Sequence, residues 1–99
     1  MPLPEFNEAG DLPPGIHVAT LAEVMARFGS SNVARRVVGK RFQDIYDVAR
    51  STGHLARMIV YGSFVTAKPE PNDVDVFLVM DELFEVSDFS GAIRLLFDH

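Results

Sequence analysis

Cysteine is absent from the 99 residues, which removes disulfides, thiolate metal sites and cysteine nucleophiles and allows a reducing compartment. Long apolar runs are missing too. The longest, such as residues 76–80, fall far short of the roughly 20 residues that cross a bilayer. The first fifteen residues lack the basic start and apolar core of a secretion signal, and carry Glu5, Glu8, Asp11 and four prolines instead. These absences lead to the expectation of a cytoplasmic protein without a membrane partner. No repeat, low-complexity tract or domain linker is visible. The length suits one domain with one core over residues 1–99, of which residues 1–16 form an extended amino-terminal arm.

What is present is a foldable apolar fraction, 47% with eight phenylalanines, which is too much for a disordered chain. The net charge of −5 is unevenly spread: residues 23–57 hold seven basic against three acidic side chains, and residues 68–99 hold two against eight. The basic stretch around Arg35, Arg36, Lys40 and Arg41 can attract nucleic acid or polyphosphate, but no exposed aromatics interleave with it, and its plainer reading is a solvated helix face. The acidic half suits a site that concentrates divalent cations.

Local patterns predict a small α+β arrangement. Residues 12–16 read as an arm ending in a turn, with Leu12 and Ile16 available to pack. Thr20 and Glu23 have capping-box spacing, Leu21, Val24, Met25 and Phe28 share a face, and Gly29 offers a left-handed stop, so a short helix is expected. Ser30 or Ser31 is expected to cap a longer helix on which Val33, Val37, Val38, Phe42, Ile45 and Ala49 repeat until Gly53. The period then changes, and residues 58–61 and 74–80 read as strands. Between them, residues 63–66 suit one helical turn and the proline-rich residues 68–72 a loop. Residues 90–97 suit a final helix capped by Ser90.

The chemistry concentrates in residues 61–76. Alternation along a strand sends Asp73 and Asp75 to one face while Val74 and Val76 turn to the core. Neighbouring carboxylates repel unless a proton or cation lies between them, and Mg²⁺ answers this with one or two carboxylates, phosphate oxygens and water. Gly62 and Ser63, at the end of the preceding strand, supply a backbone without Cβ, N–H groups at the start of a helical turn and a hydroxyl, all suited to phosphate. Taken singly, a Gly-Ser is a turn and an Asp-x-Asp a polar strand face; their succession in this order is more specific.

Tyr61-Gly62-Ser63-Phe64-Val65-Thr66-Ala67-Lys68, followed by Pro71-Asn72-Asp73-Val74-Asp75-Val76-Phe77-Leu78, resembles the signature of the DNA polymerase β-like nucleotidyltransferase superfamily, above all its minimal bacterial members. The motif covers about 20 residues. Residues 12–17 and the Gly-Ser-Phe-Val-Thr-x-Lys wording also resemble a small group of such domains with no assigned substrate. The resemblance implies a minimal nucleotidyltransferase fold, a small mixed sheet on two or three helices, either whole or truncated at its C-terminus. It implies that Gly62 and Ser63 bind the β and γ phosphates of a nucleoside triphosphate, with ATP the first choice, and that Asp73 and Asp75 hold two Mg²⁺. The implied reaction moves a nucleoside monophosphate to a hydroxyl of a protein, RNA or small molecule.

Lys68, on the loop above these phosphates, either neutralises them as a point charge or is a solvent lysine; Thr66 is read as closing the turn. The pattern departs from active members in one respect, the third carboxylate of a later strand. Asp81 and Glu82 are placed to end the second strand, and Glu85 and Asp88 suit a short third one. This departure keeps open a catalytically degenerate nucleotide-binding or interaction module, such as a toxin–antitoxin component. A purely structural scaffold is the third reading. Two strands make a small sheet, so a second copy or a partner chain is an expected complement. His17, His54 and His99 have no ligand spacing.

Overall fold

The computed structural model describes residues 3–91, 93 and 96; the helix expected over residues 90–97 falls largely outside them, as does His99. The architecture is α+β: two helices against a two-stranded antiparallel sheet, in the order α1 (Leu21–Phe28), α2 (Val33–Ser51), β1 (Leu55–Tyr61), a 3₁₀ turn (Ser63–Val65), β2 (Asp75–Met80) and a second short 3₁₀ helix (Val86–Asp88). No described helix is long and apolar enough to cross a membrane.

Helix α1 begins as its sequence dictates. The Thr20 hydroxyl accepts from the Glu23 N–H at 3.1 Å and the Glu23 carboxylate accepts from the Thr20 N–H at 3.2 Å, which satisfies two of the orphan donors of the first turn. Its end corrects the expected left-handed stop: Gly29 has φ −106° and donates to the Met25 carbonyl. The glycine serves close approach instead, because a Cβ at Gly39 of α2 would lie 3.0 Å from the Gly29 Cα.

Helix α2 starts one residue later than Ser31 would place it and two later than Ser30 would. Asn32 is the cap, accepting from the Arg35 N–H at 2.8 Å while its amide donates to the Pro69 carbonyl at 2.7 Å. Its apolar stripe is also rotated: Val33 and Val37 are exposed, and Arg35, Val38, Gly39, Phe42 and Ala49 are buried. A buried arginine in the stripe's phase displaces the two valines to its flank.

Both strands turn alternate residues to the helices. Val74 is buried and Val76, Met58 and Val60 pack on a core whose centre is Phe28, Phe64 and Phe42, with successive ring centroids 6.1 and 5.9 Å apart. Each such ring removed from water contributes about 1.5–3 kcal/mol. The register pairs Tyr61 with Asp75 at one end and Leu55 with Met80 at the other, with an irregularity between Leu55 and Arg57. The arm crosses the turn end: Asp11 bridges to Thr66, Ala67 donates to the Gly10 carbonyl at 2.8 Å, and Leu3, Phe6 and Leu12 pack on the core. Ile16, available to pack like Leu12, is instead 86% exposed, whereas Leu12 packs on the core.

Candidate functional site

Gly62 follows β1 with φ +79° and ψ −163°, a conformation open essentially to glycine alone. The reason for glycine is also visible across the sheet. Asp75 is the ladder partner of Tyr61, and a Cβ added to Gly62 would overlap the Asp75 carboxylate Oδ2. The missing side chain at one position therefore makes the space for the carboxylate at the other. Two residues singled out for phosphate and metal meet in direct contact.

The 3₁₀ turn then reverses the chain. Val65 donates to the Gly62 carbonyl and Thr66 to the Ser63 carbonyl through both its N–H, at 3.3 Å, and its hydroxyl, at 2.7 Å. Thr66 closes the turn, as its position suggested. Ser63 is half-buried at the head of that turn, whose leading N–H groups, those of Ser63 and Phe64, have no intrahelical acceptor. Phe64 is wholly buried in the core and anchors the turn from beneath.

Asp73 and Asp75 are both exposed, with Val74 and Val76 turned inward, but only Asp75 belongs to the ladder. Asp73 lies just before it, held by its own loop: its Oδ1 accepts from the Val74 N–H at 2.9 Å and stands 3.6 Å from Arg41 Nη1, which also donates to the Asn72 carbonyl at 3.3 Å. Carboxylate oxygens remain open at both residues, which fits an ion taking one or two carboxylates beside phosphate. Lys68 has an exposed side chain, and its carbonyl takes part in the fold by accepting from Arg35.

Among the described residues no later acid joins them. Asp81 ends β2 and accepts from His54 Nδ1 at 2.9 Å and from the Leu83 N–H at 3.0 Å, at the far end of the sheet. Glu82 is exposed in the turn that follows. The third strand considered for Glu85 and Asp88 is replaced by the 3₁₀ helix Val86–Asp88. Among the described residues no group of three or more metal-binding side chains forms. His17 is satisfied by the Pro13 carbonyl at 2.7 Å.

Arg35, expected on a solvated basic face, is instead 5% exposed and donates to the carbonyls of Phe28, Phe64, Thr66 and Lys68 at 2.6–3.0 Å. Desolvation lowers its pKa, yet an arginine stays charged at any physiological pH. Its signal in the sequence was its spacing of three and seven from Val38 and Phe42, inside the apolar phase. A groove of about 1290 Å³ runs between the arm and β1, lined in part by Leu12, Pro14, Met58 and Val60, and reaches Gly62 and Thr66.

No curated protein and no solved structure matches the chain. Over residues 4–97 it matches the profile of a family of unknown function, DUF6932, and the chain belongs to that family.

Proposed function

We propose that this chain binds a magnesium nucleoside triphosphate, ATP first among them, and transfers its nucleoside monophosphate to a hydroxyl of a protein, RNA or small molecule. The observation that carries the reading is the contact between Gly62 and the Asp75 carboxylate, which joins a glycine-serine turn to an acid. Gly62 and Ser63 receive the β and γ phosphates, Asp73 and Asp75 hold the cations, and Lys68 adds a positive charge from the loop. Bound Mg²⁺ supplies neutralisation of the phosphate charge and alignment of the two oxygens that exchange at the α phosphorus. The acceptor oxygen forms a bond to that phosphorus, the bridging bond to the β phosphate breaks, pyrophosphate leaves with the electron pair, and the hydroxyl proton passes to water. Rate would come from positioning and charge stabilisation, with no protein nucleophile.

A second reading, a binding module without turnover, is favoured by a specific observation: Asp81 is engaged with His54 and no third acid lies with Asp73 and Asp75 among the described residues. A toxin–antitoxin component is one form it takes. Exposed Ile59, Phe77 and Val79 support a second copy or a partner chain completing the sheet beside Asp75.

The test uses Asp75→Asn, an exposed change expected to shift stability by less than about 0.5 kcal/mol. Calorimetry should show Mg-ATP binding to the wild type and none to the variant, and α-labelled ATP should label an acceptor with the wild type alone. Binding without transfer selects the second reading. Absence of binding by the wild type leaves a scaffold and ends both.

A further inference from the structure

Arg35 is a buried cation with no carboxylate beside it: among the described residues the carboxylates that face a basic side chain are Asp44 with Lys40, Asp73 with Arg41, and Asp81 with His54. Burying an unpaired charge is costly unless hydrogen bonds replace the lost water. Here four main-chain oxygens do so. One belongs to Phe28 at the end of α1, and the other three, at 2.7, 2.6 and 2.6 Å, belong to Phe64, Thr66 and Lys68, all within the loop that follows Gly62. The guanidinium also lies 5.8 Å from the Phe64 ring centroid.

The acceptors alternate along the loop, so one rigid head group fixes three of its peptide planes at once. A planar fork with several donors can do this; a lysine ammonium, a point with three donors, cannot reproduce the same spread. The opposite edge of the loop is tied to the arm through Asp11, Thr66, Gly10 and Ala67. Held from both sides, the loop sets the direction in which the turn at Ser63 presents its leading N–H groups. The positive charge at the loop is met only by neutral carbonyl dipoles, so it is not cancelled by a neighbouring carboxylate.

We propose that Arg35 is the positioning residue of the polyphosphate turn: without touching the ligand, it holds residues 63–68 in the shape that receives a magnesium-bound triphosphate. This rests on the nucleotide-binding reading above. It differs from a purely structural role, because a core arginine that only stabilised the fold would not discriminate between ligands with and without a phosphate chain.

The experiment compares wild type with Arg35→Lys, well below either protein's unfolding midpoint. Amide hydrogen exchange should accelerate at residues 63–68 of the variant and stay unchanged in β1 and α2. Mg-ATP affinity should fall about tenfold, the low end of losses seen when supports behind a binding shell are removed. Affinity for Mn²⁺ alone and for Mg-AMP should change less than about twofold. A folded variant with unchanged exchange at residues 63–68, or with faster exchange and wild-type Mg-ATP affinity, overturns the proposal and leaves nucleotide binding intact. Equal losses for Mn²⁺, AMP and ATP overturn it as well, in favour of a structural role. A wild type that binds no Mg-ATP overturns the nucleotide reading itself and removes the proposal with it. Should Arg35→Lys fail to fold, ¹⁵N resonances of the Arg35 guanidinium in the wild type give the answer: ATP should shift them and adenosine should not, and no shift with ATP overturns the proposal.

Discussion

The two ends of the β1–β2 ladder hold similar ingredients and treat them differently. At the Tyr61–Asp75 end, the Asp75 carboxylate stands open to solvent while the backbone around it is fixed by Arg35, Phe64 and the arm, and Asp73 is only half engaged, with one oxygen on the Val74 N–H and near Arg41. At the Leu55–Met80 end, about 17–20 Å away at ~3.3 Å per residue, the acid itself is engaged: Asp81 takes His54 and Leu83, and His54 lies near the rings of Phe84 and Phe89. A carboxylate is available for a ligand where other groups have already satisfied the backbone around it. Where the carboxylate does that work, it is part of the fold.

The glycines of the two ends give the largest separation. Both have positive φ, +79° at Gly62 and +76° at Gly53, but a Cβ at Gly53 meets nothing within 4 Å, whereas at Gly62 it meets the Asp75 carboxylate. Gly62→Ala should therefore cost about 3 kcal/mol, backbone strain plus displacement of Asp75, and abolish Mg-ATP binding. Gly53→Ala should cost about 1 kcal/mol, the strain alone, and leave binding untouched. Urea denaturation and calorimetry on the pair would read this. Equal destabilisation would mean that the contact with Asp75 carries no weight.

These glycines also mark how much the sequence reveals. The Thr20–Glu23 box, the 3₁₀ turn closed by Thr66 and the inward Val74 and Val76 were legible because each depends on neighbours within a few residues. The role of Arg35 was not, beyond its spacing from Val38 and Phe42, since its acceptors at Phe64, Thr66 and Lys68 lie 29–33 residues further along. The exposure of Val33, Val37 and Ile16 follows from the same kind of distant choice: which phase of α2 the loop claims, and where the arm leaves the core. Asp73 and Asp75 were legible as candidates through their alternation, and the side chain that shares Asp73 was hidden because Arg41 reaches it from another element.

A smaller effect sharpens the contrast at the closed end. Asp81→Ala removes one partly exposed pair with His54 and the cap on Leu83, so stability should fall by about 1 kcal/mol. Mg-ATP affinity should be unchanged within error, because the contacts of Asp81 among the described residues all lie at the far end of the sheet. A tenfold loss of affinity with Asp81→Ala would make the two ends one site and restore Asp81 as the missing third acid.

The smallest effect belongs to the open end. Arg41 and Asp73 are 3.6 Å apart with both side chains more than half exposed, a pair of the kind that contributes at most about 0.5 kcal/mol, so Arg41→Ala should hardly change the denaturation midpoint. Its effect on cation binding has a definite sign. A guanidinium near a carboxylate disfavours a second cation there, and removing it at low salt should tighten Mn²⁺ binding about two- to fivefold, an advantage that rising salt erases. Paramagnetic resonance of free Mn²⁺ measures it directly. If Arg41→Ala weakens Mn²⁺ binding instead, the arginine orients Asp73 toward the metal, and the open end would be held in place by its own side chains as the closed end is.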